Sequence, residues 1–508
     1  MVTVMQTKQQ SNNVRRAGVL MPVSALPSSF GIGTFGKGAY AFLDWLHSAG
    51  MKIWQVLPLL PTGYGDSPYQ SCSLDAINPY FIDFDILREE GLLQEQDYAM
   101  VDWGEESRVD YGKQFELKTK ILRIAFANFD RKNAEWLAFL EERKYDDFAL
   151  FMSLKIRFGY AAWNTWPLGF QTANKNVLQE HKNAYAEEID FWLFTQYLAL
   201  KQWKALRAYA HEKQIEIMGD MPIYGAYDGV ETWLYRDKLF ALDECGDASL
   251  RAGVPPDAFS DDGQLWGNPV YDWEKLKADD YAWWVERIRY QFTLFDIIRI
   301  DHFRAFDRYY VIPAEAETAK EGEWLDGPKM QLFKRVSGYQ IVAEDLGIID
   351  DGVRELLQGT GYPGMKVFSF AFDGNPENEY LPSLYTENCV AFTGTHDNDT
   401  LRSFIQTMDE DTRKEFEKSL ENECLKLDVP YITETLDDEG ETIVRLLFAS
   451  KANTVIIPMH DVLCLDGEAR LNAPSTVSQN NWTFRYTEKH FKRRKAAWLK
   501  EMTIEYDR

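Results

Sequence analysis

Residues 296–304 read DIIRIDHFR. Three isoleucines in five positions form a short β-branched run, and a cluster of charged and aromatic residues follows at once. Such a run suits a buried pleated surface and is too short for a helix. The same unit recurs along the chain. AGVLMPV at 17–23 leads to LPS, IWQVLPL at 53–59 to a stretch ending DSPYQ, and IEIM at 215–218 to GDMP. Further on, QIVA at 340–343 leads to EDLG, KVFSFAF at 366–372 to DG, CVAFTG at 389–394 to THDN, and TVIIP at 454–458 to MHD. With the first, these make eight candidate strands of the kind buried on both faces in a parallel sheet. Helical patterns at 36–48, 280–295 and 351–358 lie between several of them. The alternation predicts an α/β fold, a TIM (β/α)8 barrel, with working residues at the strand C-terminal ends where the polar clusters fall. A doubly wound open sheet is the competing architecture, but no Gly-x-Gly-x-x-Gly turn follows an early strand.

Two intervals exceed a simple connection. Residues 72–214 carry amphipathic stretches at 113–128, 133–157 and 187–213 and read as a mainly helical insertion subdomain. Residues 224–279 are rich in Gly, Pro, Asp and Trp and read as a loop region. Residues 401–450 read as a further helical insertion, so 1–508 is expected to be one catalytic barrel with insertions between its strands.

Composition narrows the function. The 508 residues carry 55 Lys+Arg and 80 Asp+Glu, a net charge of −25 that repels nucleic acid. With 45 % hydrophobic residues the chain has ample side chains for a core, which excludes intrinsic disorder. The five cysteines are scattered and form no Cys-x-x-Cys pair, against a disulfide framework or a structural zinc. The opening MVTVMQTKQQSNNVRRAG has no apolar leader, and no run of about 18 apolar residues occurs. A cytoplasmic protein with no membrane span is expected. The 16 Trp, 26 Tyr and 31 Phe are a weak pointer to carbohydrate, whose ring faces stack on aromatic platforms.

Three acidic residues stand at the ends of three candidate strands: Asp301, Glu344 and Asp397. Glycosidic bond cleavage calls for one carboxylic acid on the leaving oxygen and one carboxylate beside the anomeric carbon. A third carboxylate can hold the ring hydroxyls. Taken singly, each could instead cap a helix or pair with an arginine. The adjacent His302 and His396 leave metal ligation open, although no His-x-x-x-His pair is present.

Longer motifs sharpen this. The chain resembles the amylomaltases, the 4-alpha-glucanotransferase or disproportionating-enzyme family, over nearly its whole length. The resemblance is carried by WQVLPLLPTGYGDSPYQ (54–70), GDMPIYGAYDG (219–229), AGVPPDAFSDDGQLWGNPVYDW (252–273), RIDHFRAF (299–306), VAEDLG (342–347), GYPGMKV (361–367), GTHDND (394–399) and NWTFR (481–485). It implies Asp301 as nucleophile, Glu344 as general acid/base and Asp397 as transition-state stabiliser. It implies substrate-binding roles for Tyr69, Asp66, Ser67, Asp220, Arg299, His302, His396, Trp266, Gln264, Phe259 and Asp257. Arg299 is then expected to lower the pKa of Asp301, whereas Glu344 needs a raised one. The implied substrates are α-1,4-glucans as both donor and acceptor, with no cofactor and no metal. An alpha-amylase-like hydrolase and an inactive glucan-binding protein are the alternatives. Residues 253–268 match a loop that arches over the family's cleft. Two departures stand out: Ala258 where the family often has Tyr, and Pro474–Ser475 where Pro–Gly is usual.

Overall fold

The computed structural model describes residues 15–243, 245–256 and 260–508. The amino-terminal stretch 1–14 and the expected site positions Asp257 and Phe259, with Ala258 between them, lie outside the described residues.

In chain order the described strands are β1 (Arg16–Leu20), β2 (Ile53–Gln55), β3 (Glu216–Met221), β4 (Leu250–Val254), β5 (Gln264–Pro269) and β6 (Ile297–Ile300). They continue as β7 (Arg308–Pro313), β8 (Glu323–Asp326), β9 (Ile341–Ala343), β10 (Gly364–Val367), β11 (Cys389–Phe392) and β12 (Thr454–Pro458). Eight of them pair in parallel in the order β10-β11-β12-β1-β2-β3-β6-β9. The last seam is bridged where Ala343 N–H donates to the Pro363 carbonyl at 2.9 Å. All eight expected strands are present, and the barrel is the fold the alternation predicted.

Burial alternates along the strands with the pleat. Leu20, Ile53, Met218, Ile297, Val342, Met365, Val390 and Ile456 fill the barrel interior. Their neighbours Val19, Trp54, Ile217, Ile298, Ile341, Ala391 and Val455 face the surrounding helices. Gly18 shows how tight the interior is: a Cβ there would lie 2.4 Å from the Ile53 carbonyl and 2.8 Å from Ile456 Cδ1. The apolar run at 366–372 overshoots its strand, because Phe368–Phe370 turns into a 3-10 helix beyond β10.

Between β2 and β3 the chain is mainly helical. Side-chain caps fix the starts of several helices: Asp83 before Phe84–Glu89, Asn133 before Ala134–Glu142, Asn174 before Lys175–Ala184. The long helix Ala186–Glu212 ties this region to the barrel. Its buried Gln196 accepts from Ile77 N–H (2.8 Å) and donates to the Ile77 carbonyl (2.9 Å). Gln202 treats Asp83 in the same way. Trp203 packs on Phe35 and Phe295 and donates to the Leu294 carbonyl. After β11 lie the helices Leu401–Gln406, Glu410–Leu427 and Leu436–Ala449.

One region departs from expectation. Residues 224–279, read as loop, contain β4 and β5, which join β7 and β8 in an antiparallel sheet of order β5-β4-β7-β8. The Gly and Pro residues of LRAGV and QLWGNP hide these short strands, and their pairing partner β7 lies beyond the barrel strand β6.

Replacing Gln196 by Leu leaves both backbone groups of Ile77 buried without partners. Urea denaturation should show a loss of about 2–5 kcal/mol.

Candidate active site

The C-terminal mouth of the barrel opens into a cavity of about 680 Å³. Its wall includes Asp301, Glu344 and Asp397, brought together from the ends of β6, β9 and β11. Ser67, Tyr69, Gln264, Trp266, Arg299, His302 and His396 line it as well. Asp220 sits behind this wall, 3 % exposed, and Asp66 is half-buried outside the residues that line the cavity.

Arg299 organises the floor. It is 4 % exposed, and its Nη1 lies 2.8 Å from Asp220 Oδ1, 2.9 Å from Asp220 Oδ2 and 3.1 Å from Asp301 Oδ1. Tyr69 Oη donates to Asp220 Oδ2 at 2.7 Å. Burial works against the guanidinium's charge, but Asp220 and Asp301 outweigh it and hold it protonated. The Tyr69 phenol is pushed well above its ordinary value by burial and the Asp220 charge, so it stays a donor. Its ring stacks on His396 with centroids 4.9 Å apart and planes at 17°. Trp482 backs both rings at 5.8 Å.

Arg299 pulls the Asp301 carboxyl down as expected, but it does not decide the sign. Burial at the base of the cleft outweighs the attraction of Arg299, with Asp220 and Asp397 adding repulsion, and the carboxyl is pushed up to about 6. Glu344 is raised further, to about 7, again by burial first. Its Oε2 accepts the His302 backbone N–H at 2.6 Å and its Oε1 that of Leu346 at 2.8 Å. These donors fix the carboxyl in place and leave the second lone pair of each oxygen for a proton. The His302 imidazole is pushed down to about 3 by burial, with help from Arg304, and is neutral. It meets Trp266 edge-on at 4.8 Å.

Asp397 is held differently. Its carboxylate is 44 % exposed, with Oδ1 accepting from Asn472 Nδ2 at 2.7 Å and Oδ2 lying 3.4 Å from His396 Nε2. Arg470 donates to the Asp397 carbonyl at 2.8 Å. Asn472 and Arg470 come from the loop after β12, about 75 positions away in sequence, and no local pattern marks them. The Gln70–Asn268 pair is a second feature missed: Gln70 Nε2 donates to Asn268 Oδ1 at 2.8 Å and to the Trp266 carbonyl at 3.2 Å. Ser475, which also lines the cavity, holds a φ of 60°, the left-handed region where the resemblance expects Gly. Among the described residues no three His, Cys, Asp or Glu side chains are grouped as metal ligands.

A parallel (β/α)8 barrel with three carboxylates converging at its mouth, one paired to arginine and one raised toward neutrality, has the build of a barrel glycosidase-type enzyme. Comparison with known proteins makes this specific. A glycoside hydrolase family 77 model, described as 4-alpha-glucanotransferase, matches residues 21–490. A 4-alpha-glucanotransferase of Clostridium butyricum is 43 % identical over 96 % of this chain and its own full length. One of Thermus thermophilus is 41 % identical over 93 % of this chain and 94 % of its own. The structure of an amylomaltase from Streptococcus agalactiae in complex with acarbose superposes with a TM-score of 0.92 at 38 % identity, covering 97 % of this chain and 99 % of that one. The chain belongs to the 4-alpha-glucanotransferase family.

Replacing Arg299 by Gln leaves Asp220 and Asp301 without their shared cation. Chemical denaturation should report a loss of about 3–5 kcal/mol.

Proposed function

We propose that this protein transfers segments of α-1,4-glucans to the 4-hydroxyl of another glucan or of glucose by double displacement with retention. Asp301 attacks the anomeric carbon while Glu344 protonates the leaving oxygen, giving a covalent β-glycosyl-aspartate. Glu344, now a base, removes the proton of the acceptor hydroxyl, which displaces Asp301. Two inversions restore the α linkage. Asp397 grips ring hydroxyls and strengthens that grip in the oxocarbenium-like transition state. Tyr69 and Trp266 offer ring faces and edges to the sugars, with His302, His396, Ser67 and Gln264 beside them.

One observation carries the reading. The two central carboxyls share a cleft but differ in partner: Asp301 touches Arg299, and the hydrogen bonds to Glu344 come, among the described residues, from two backbone N–H groups. The proton therefore favours Glu344 and leaves Asp301 the anionic nucleophile. The family membership and the acarbose-bound neighbour support α-1,4-glucans as the substrate class. Transfer in preference to hydrolysis requires that water be kept from the intermediate. Val254, Pro255 and Gln264, at the turn end of the β4–β5 hairpin, border the cavity and support a covering role for that segment.

Incubation with maltotriose, resolved by chromatography, should give glucose and a ladder of longer maltodextrins. Maltose and glucose alone would mean hydrolysis, and no change would mean binding without catalysis. Asp301→Asn should abolish the ladder.

The pH dependence has a definite sign. Activity needs Asp301 ionised and Glu344 protonated. kcat/KM should fall as pH drops through about 6 and again as it rises through about 7, a narrow bell whose limbs belong to the pair. A broad plateau to pH 9 would contradict the acid role of Glu344.

A further inference from the structure

The polar cluster after the last barrel strand, His460–Asp461, has no part in the chemistry above. Asp461 is 2 % exposed. Its Oδ2 accepts the Thr393 hydroxyl at 2.5 Å, and its Oδ1 accepts the Leu401 backbone N–H at 2.7 Å. Thr393 directly follows β11, and Leu401 opens the helix Leu401–Gln406. The residues between them, 394–400, include His396 and Asp397. One buried carboxylate thus closes both ends of the loop that presents Asp397 to the cavity. Inside that loop, Asn398 Oδ1 accepts from the Thr395 N–H and hydroxyl at 2.8 and 2.9 Å.

We propose that Asp461 is a positioning residue for glucan transfer, acting through Thr393 and Leu401 to hold the loop that carries Asp397. This rests on the reading of Asp397 as the group that grips the ring. With its carboxylate 44 % exposed, Asp397 takes its position from the backbone path and from the Asn472 and Arg470 contacts. Those contacts and Asp461 all come from the segment after β12, so a single stretch of chain fixes the loop at base and tip. A shift of about 1 Å in a group aligned with the transition state is enough to cost about a hundredfold in rate.

Three variants test this, assayed with maltotriose well below their melting temperatures and normalised to folded protein by circular dichroism. Asp461→Ala removes both acceptors and should lower kcat by about 10- to 100-fold with KM changed less than about threefold. Asp461→Asn should recover most of that loss. Its amide oxygen still accepts Leu401 N–H, and its amide N–H can donate to the Thr393 hydroxyl, whose rotor turns to accept. Thr393→Val cuts one tie and should lower kcat by a smaller factor; it also serves if Asp461→Ala fails to fold. A purely structural role would lower the melting temperature while kcat per folded molecule stayed at the parent value, which would overturn the proposal. So would an Asn variant no better than Ala. Asp397→Asn is run in parallel. If it loses kcat while Asp461→Ala and Thr393→Val keep it, only this inference falls. If Asp397→Asn keeps kcat, the reading of Asp397 falls and this inference with it.

Discussion

Arg299 sits where the barrel's apolar plug meets its polar mouth, and the site is arranged around that buried charge. Below it, its Nε lies 3.5 Å from Met365 Sδ, one of the residues filling the barrel interior. A guanidinium at that depth needs partners. The parallel register between β3 and β6 supplies the first, because it sets Asp220 directly beside Arg299. Tyr69, from the loop after β2, completes Asp220 by donating to the oxygen it shares with the guanidinium. Asp301, just beyond β6, supplies the second. Three elements distant in sequence are thereby locked to one cation.

That single cation faces more than one carboxyl. Asp220, Asp301 and Glu344 all act on Arg299, and burial raises Asp301 and Glu344 despite its charge. Asp220 is enclosed by Arg299 and Tyr69, and Asp301 has the direct arginine contact, whereas Glu344 accepts from the His302 and Leu346 backbone N–H groups. The backbone helps to place it. His302 has φ 52° and ψ 47°, a left-handed conformation that costs a non-glycine residue about 1–2 kcal/mol, and its N–H is one of the two donors on Glu344. The strain therefore lies between the two central carboxyls, where it orients one against the other.

Much of this was legible in the chain. The β-branched runs ending in polar clusters marked all eight barrel strands, and the strand-end rule singled out Asp301, Glu344 and Asp397 without a structure. The outcome of a competition was not legible. Arg299 beside Asp301 reads as a depressed pKa, yet the depth of the cleft reverses the sign, and depth comes from closure of the whole barrel. Partners from distant loops were equally hidden. Asn472 and Trp482 reach the site only because β12 pairs with β11 and β1, a relation that no local spacing encodes. Ser475 marks a third limit: a Pro–Ser pair reads as a mild change until its positive φ shows that the turn is built for glycine.

The antiparallel sheet that the Gly- and Pro-bearing segments hide shapes the cavity directly. Its strand β5 carries Gln264, Trp266 and Asn268, which form one wall of the cavity. That wall is not a free loop. Asn268 Nδ2 donates to the Gly225 carbonyl at 2.8 Å and is paired with Gln70, which joins it to the segment holding Tyr69. On its other side β4 pairs with β7, matching Arg251 to Ile312, and β7 follows β6 after only the short turn Phe303–Phe306. The hairpin that borders the cleft and the strand end that presents Asp301 are consequently parts of one hydrogen-bonded body. A hairpin anchored in this way keeps its distance from Asp301, so the shape of this side of the cavity is set by the same framework that presents that carboxyl.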